Sequence, residues 1–135
     1  MTAIEVAQSS AGGAKSAAIS NMTVRLLSQY TGRGPTKART FFNTDLVTVV
    51  LQDTLTKAEV TLVDTGHGEM VLGARKTFQD VMGDELVAGV EKILGRKVHA
   101  FLSANHIDPD IAVETFLLVP VDAASPGAAA APPQA

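Results

Sequence analysis

A two-layer α+β sandwich, in which a four-stranded, largely antiparallel sheet carries helices on one face, is the fold class this 135-residue sequence predicts. Three observations lead there. Two stretches of paired β-branched and aromatic runs, each pair parted by a short polar segment, read as hairpins. Two longer stretches keep apolar residues at helical spacing. Their order, α-β-β-α-α-β-β, suits helices gathered on one side of an antiparallel sheet.

Ile19, Met22, Thr23, Leu26 and Tyr30 fall at i, i+3, i+4, i+7 and i+11, the stripe of an amphipathic helix. Gly32 stops it, since glycine takes the left-handed conformation that closes a helix and Pro35 forbids continuation. The first hairpin pairs residues 39–42 with 46–51 across Asn43-Thr44-Asp45. Thr56 and Glu59 then have capping-box spacing, and Leu55 with Val60 can form a hydrophobic staple, so a helix starts near Thr56. Gly66-His67-Gly68 breaks or kinks it, after which Val71, Ala74, Phe78, Met82, Leu86, Val90 and Ile93 resume helical spacing. Gly95 caps this helix. Residues 98–103 and 111–119 make the second hairpin.

The expected boundaries are a flexible N-terminus over 1–13, one folded domain over 14–120 and a disordered Ala/Pro-rich tail over 121–135. Cysteine is absent, which removes disulfides, thiolate nucleophiles and cysteine zinc sites and suits the cytoplasm. Neither a signal peptide nor a run of the ~20 apolar residues needed to span a bilayer is read. A net charge of −3 argues against wholesale nucleic-acid binding. In the last strand Ile111, Val113, Leu117 and Val119 alternate with Ala112, Phe116 and Leu118, so both faces are apolar apart from Glu114 and Thr115. A lone two-layer domain leaves one sheet face polar, and a homo-oligomer, a dimer first of all, is therefore expected to cover the second.

Two segments are candidate contact sites. Residues 31–39 carry Arg33, Lys37 and Arg39 and no acid in an acidic protein. Their glycine spacing fits neither Gly-x-Gly-x-x-Gly nor the Walker pattern, and a strand follows where those patterns need a helix. The three cations can hold an anion or an acidic partner, or simply be solvated on a turn. The second segment holds Asn105, His106, Asp108 and Asp110. An imidazole and two carboxylates could ligate a divalent metal, but Asp-Pro-Asp is ordinary turn chemistry, and a docking or hydrogen-bonding role outweighs a metal there. No cofactor is called for. His67 and His99 read as a surface-loop residue and a cross-strand packing residue. Asp64-Thr65-Gly66 matches the aspartic-protease signature, yet it closes a capped helix where those enzymes place a loop between strands. No serine sits in an elbow motif, so a non-enzymatic role is favoured.

Gly32-Arg33-Gly34-Pro35-Thr36-Lys37-Ala38-Arg39, the stretch 78–86, Leu94-Gly95-Arg96-Lys97-Val98, and Phe101-Leu102-Ser103 with His106-Ile107-Asp108-Pro109-Asp110 together resemble the MpsC-like family. These are small bacterial proteins named after a sodium-translocating, membrane-potential-generating system. The resemblance implies a bacterial cytosolic protein associated with ion or inorganic-carbon uptake and supplies no chemistry. The reading is thus an accessory or regulatory module that works on a protein partner such as a membrane transport component. The alternatives are a small anionic-ligand or nucleotide-binding module and, third, an RNA-binding protein, for which no aromatic stacking platform is evident. Whether the two loops converge, so that Asp108 and Asp110 meet Arg33, Lys37 and Arg39, is left open by the sequence.

Overall fold

The structure, a computed structural model, describes residues 5–7 and 13–121. The expected tail beyond 121 and most of the expected N-terminal extension lie outside the described residues. Within it a short strand, β1 (Glu5–Ala7), precedes helix α1 (Gly13–Thr31). Of the predicted stripe of α1, Ile19, Met22, Thr23 and Leu26 are buried and Tyr30 is half-buried, and Leu27 with the small polar Ser16 and Ser20 joins them. These small polar residues allow close approach to the sheet, where Ser20 Oγ lies 2.6 Å from Thr40 Oγ1. Gly32 has φ +83° and its N–H bonds Ser28 O at 2.8 Å, closing the helix.

Strands β2 (Lys37–Asn43) and β3 (Leu46–Gln52) form a hairpin through Thr44 and Asp45, with Thr44 at φ 54°. Arg96 clasps that turn: Nη1 donates to Thr44 O at 2.8 Å, and Nη2 to Asp45 Oδ1 at 2.6 Å and Val119 O at 2.8 Å. Helix α2 (Lys57–Asp64) starts with the full capping box between Thr56 and Glu59. Gly66, at φ 88°, turns the chain into α3 (Gly68–Leu94), which Gly95 ends at φ 66°. The Asp-Thr-Gly of the protease signature is this interhelical joint. Strands β4 (Val98–His106) and β5 (Ile111–Leu118) complete a sheet of order β1-β2-β3-β5-β4. Its four long strands are antiparallel as expected, and β1 adds in parallel along β2, pairing Val6 with Ala38.

The helices cover one sheet face, bearing Ala38, Val47, Val49, Leu51 and Phe116, with Ile19, Leu26, Met82, Leu86 and Val90 opposite them. Phe101 and Phe116 pack tilted, ring centroids 5.1 Å apart. The other face is open, and its cross-strand rows run Phe41-Thr48-Thr115-Leu102 and Arg39-Val50-Val113-Ala104. One expectation needs correcting. At the start of α3 it is not Ala74 and Phe78 that turn inward: Ala74 is exposed and Phe78 half-buried, while Arg75 and Gln79 are buried at i+4 and i+8 from Val71. The helix is rotated because two polar partners, Glu59 and Glu114, stand on that side.

The glycines of α3 predict opposite responses. Gly73 is exposed with nothing within 4 Å of an added Cβ, so Gly73→Ala is expected to stabilise by about 0.5–1 kcal/mol through helix propensity. At Gly89 an added Cβ would meet Met22 Cε and Sδ at 2.8 Å, so the same change there must displace a core side chain and gain less or destabilise. Urea midpoints of the two variants check both.

Candidate functional site

The link between β3 and α2, residues 53–56, is fastened at almost every polar atom. Asp53 stands at φ 59°, a region an aspartate tolerates; its N–H bonds Asp110 O at 3.0 Å and its carboxylate accepts from Thr36 Oγ1. Thr54 Oγ1 donates to Asp110 Oδ1 at 3.0 Å, and Leu55 N–H to Asp110 Oδ2 at 2.8 Å. The carbonyl of the same Leu55 accepts from Arg33 Nη1 at 3.0 Å. Thr56 N–H is held by Glu59 Oε1 at 2.8 Å. The two predicted loops therefore converge, each gripping one side of Leu55 through hydrogen bonds to its backbone.

Arg75, 2 % exposed, anchors the link from below. Its Nη2 donates to Thr54 O at 2.6 Å and to Glu59 Oε1 at 2.5 Å, and its Nε to Glu59 Oε2 at 2.8 Å, a bidentate pair in the helix–sheet interior. Burial alone would raise the Glu59 carboxyl, but the hydrogen bonds from Arg75 and Thr56, with the Arg75 charge, hold it below the usual carboxylate range.

Beyond Arg75 the polar interior continues. Gln79 Nε2 donates to Glu114 Oε2 and to Asn105 Oδ1, both at 3.1 Å, while Asn105 Nδ2 donates to Gln79 Oε1 at 2.8 Å. Ser103 Oγ donates to Glu114 Oε1. Glu114 is 1 % exposed, and burial pushes its carboxyl up to about 7, with the Ser103 and Gln79 hydrogen bonds and the Arg75 charge only partly opposing. A shallow pocket of about 270 Å³ reaches this cluster from outside, lined by Gln79 and Ser103 and flanked by Lys76 and Asp80. The arrangement can take up and release one proton near neutral pH.

On the outer side of the link a cleft of about 490 Å³ opens between α2 and the β4–β5 turn. Its floor is Leu55, Val63 and Ile107, and its rim carries Asp53, Asp64, Asp108 and Asp110. The carboxylates of Asp53 and Asp110 are engaged in the link. Asp64 and Asp108 are exposed.

The predicted site residues thus divide. Arg33 and Asp110 meet at Leu55, Asn105 joins Gln79 and Glu114, and His106 Nδ1 donates to Pro109 O at 2.8 Å within the turn. Asp108 lies on the cleft. Lys37 and Arg39 lie on the open sheet face, where the Arg39 guanidinium sits 4.9 Å from the Phe41 ring centre. Among the described residues no three of His, Asp and Glu stand close enough to hold a metal ion. Arg75 and Gln79 escaped the sequence reading, which noted Glu114 only as a polar exception, with Thr115, in the last strand and assigned it no role. A family model described as "Na+-translocating membrane potential-generating system (MpsC)" matches residues 12–119. No curated protein matches the chain. No solved structure matches it either.

Proposed function

The chain belongs to the MpsC family, and from this premise we propose that it serves a sodium-translocating, membrane-potential-generating system as a non-enzymatic accessory or regulatory module in the cytoplasm. No helix of the described residues is long and apolar enough to cross a membrane, so the proposed action of this domain is by contact. The observation that carries the reading is the cleft beside residues 53–56. Its apolar floor and acidic rim are set on a link whose backbone is tied from both sides, which leaves little ordering entropy to lose on binding. Short cytoplasmic loops of membrane proteins are enriched in lysine and arginine. A basic, apolar segment of such a loop is the complement of Asp64, Asp108 and the Leu55–Ile107 floor. An anion or nucleotide site gains no support, because Arg33 is turned to Leu55 O and Arg39 to the Phe41 ring.

Sedimentation of the full chain with inverted membrane vesicles from cells that carry its native system tests this. Binding is expected to weaken with salt and to fall at least tenfold in the Asp64→Lys, Asp108→Lys double variant, while protein-free vesicles of the same lipids retain nothing. Deletion of the gene should lower the membrane potential that sodium addition sustains. Binding that ignores charge reversal, or a potential unchanged by deletion, overturns the reading.

A further inference from the structure

We propose that the open sheet face is a self-association surface, on which a second copy of this chain packs sheet to sheet about a two-fold axis. This rests on the expectation of a homo-oligomer and not on the transport link. The face is not covered by a helix and leaves large apolar side chains in solvent: Phe41 is 44 % exposed, Leu102 54 % and Leu117 39 %. Across its four long strands the rows Asn43-Leu46-Leu117-Ala100, Phe41-Thr48-Thr115-Leu102, Arg39-Val50-Val113-Ala104 and Lys37-Gln52-Ile111-His106 hold no acidic residue, and the register of β1 sets Glu5 beside Lys37 at the sheet edge. The basic groups sit at one corner, on β2, and the centre is Val50, Val113 and the Thr48–Thr115 pair, whose hydroxyls lie 3.3 Å apart.

A two-fold axis along the strands lays β3 of one copy over β5 of the other and β2 over β4. Row then meets row, Phe41 against Leu102, Val50 against Val113, Arg39 against Ala104 and Lys37 against His106. An axis across the strands is equally free of acidic repulsion. The size is sufficient. Four strands ~4.8 Å apart and about seven residues long present roughly 450 Å² in projection, so two copies bury on the order of 1,000 Å² before side-chain relief is counted, the threshold of a specific interface. The chain's own C-terminal segment is a poor alternative cover: apart from Asp122 and Gln134, residues 122–135 are only Ala, Ser, Pro and Gly, with no large apolar side chain to bury.

Light scattering on the eluting full chain at tens of micromolar tests the proposal. The expected mass is twice the 14.0 kDa of one chain, with a melting temperature that rises with concentration, a readout independent of any variant. Leu102→Glu and Phe41→Lys place charges at positions already half exposed in a single chain and are expected to raise the dimer dissociation constant at least 100-fold with an unchanged circular dichroism spectrum. Val81→Lys, on the exposed side of α3, should leave the dimer intact. A wild-type monomer at all concentrations overturns the oligomer and the face together. A dimer indifferent to both face variants overturns the face alone, and a monomer that instead coats anionic phosphatidylglycerol vesicles assigns the surface to lipid.

Discussion

Replacing Arg75 with alanine is expected to cost roughly 3–5 kcal/mol, the loss typical of removing one partner of a buried ion pair. Three acceptor atoms each lose a donor at once: both oxygens of Glu59, of which Oε1 keeps only the Thr56 N–H, and the carbonyl of Thr54. Glu59 is left as a largely buried carboxylate, and the capping box it forms with Thr56 loses its brace. Arg75→Lys should rescue little, because an ammonium cannot reproduce the fork that engages Glu59 and Thr54 together. Urea denaturation reads the effect as a fall in midpoint of about 1–3 M at constant slope. A loss below about 1 kcal/mol would mean that the Arg75–Glu59 pair is replaceable by water and does not hold the link.

Glu114→Gln is expected to remove a pH dependence and to stabilise the fold in alkali. The folded carboxyl titrates at about 7 against an ordinary 4.5, so the fold binds this proton more tightly than the unfolded chain does. Its stabilising effect is complete below about 4.5, is lost as pH rises to about 7, and is absent above. A shift of that size corresponds to about 3 kcal/mol. Glutamine keeps the hydrogen bonds without the charge: its oxygen accepts from Gln79 and its amide donates to Ser103. The variant should therefore match wild type near pH 5 and exceed it by up to about 3 kcal/mol at pH 8. Glu59 acts in the opposite sense, since its lowered pKa adds stability that is present above the ordinary carboxylate range and is lost as pH falls below it. Urea midpoints across pH 5 to 8 check the prediction, and equal slopes for wild type and variant would contradict it. Removing Arg75 should push the Glu114 titration higher still, because that charge is among the influences opposing burial.

The architecture was largely legible because its signals are local. Thr56 and Glu59 announce a helix start by spacing alone, Gly32 and Gly95 adopt the left-handed closures expected of them, and both hairpins fall where alternation places them. β1 was not legible, for the three residues Glu-Val-Ala are too few to carry a periodic signal of their own. The polar interior was misread for a different reason. Helical periodicity weighs apolarity, so Ala74 and Phe78 outvoted Arg75 and Gln79, and only the distant acids Glu59 and Glu114 decide which way the helix turns. Arg33 and Asp110 were recognised as noteworthy, yet their hydrogen bonds end on a backbone that sequence does not display.

The strand order has a consequence on the ribosome. β3 pairs with β2 within its own hairpin, but its other edge waits for β5, and Thr48 and its neighbour Thr115 are 67 residues apart. At about 5–20 residues per second, that edge emerges roughly 3–13 s before its cover is synthesised. The exposed strand is Leu-Val-Thr-Val-Val-Leu-Gln, uncharged and strongly β-forming. Such a segment invites pairing with a neighbouring nascent chain, so yield in a cell should respond to translation speed across α2 and α3 and to chaperone supply more than native stability alone would suggest.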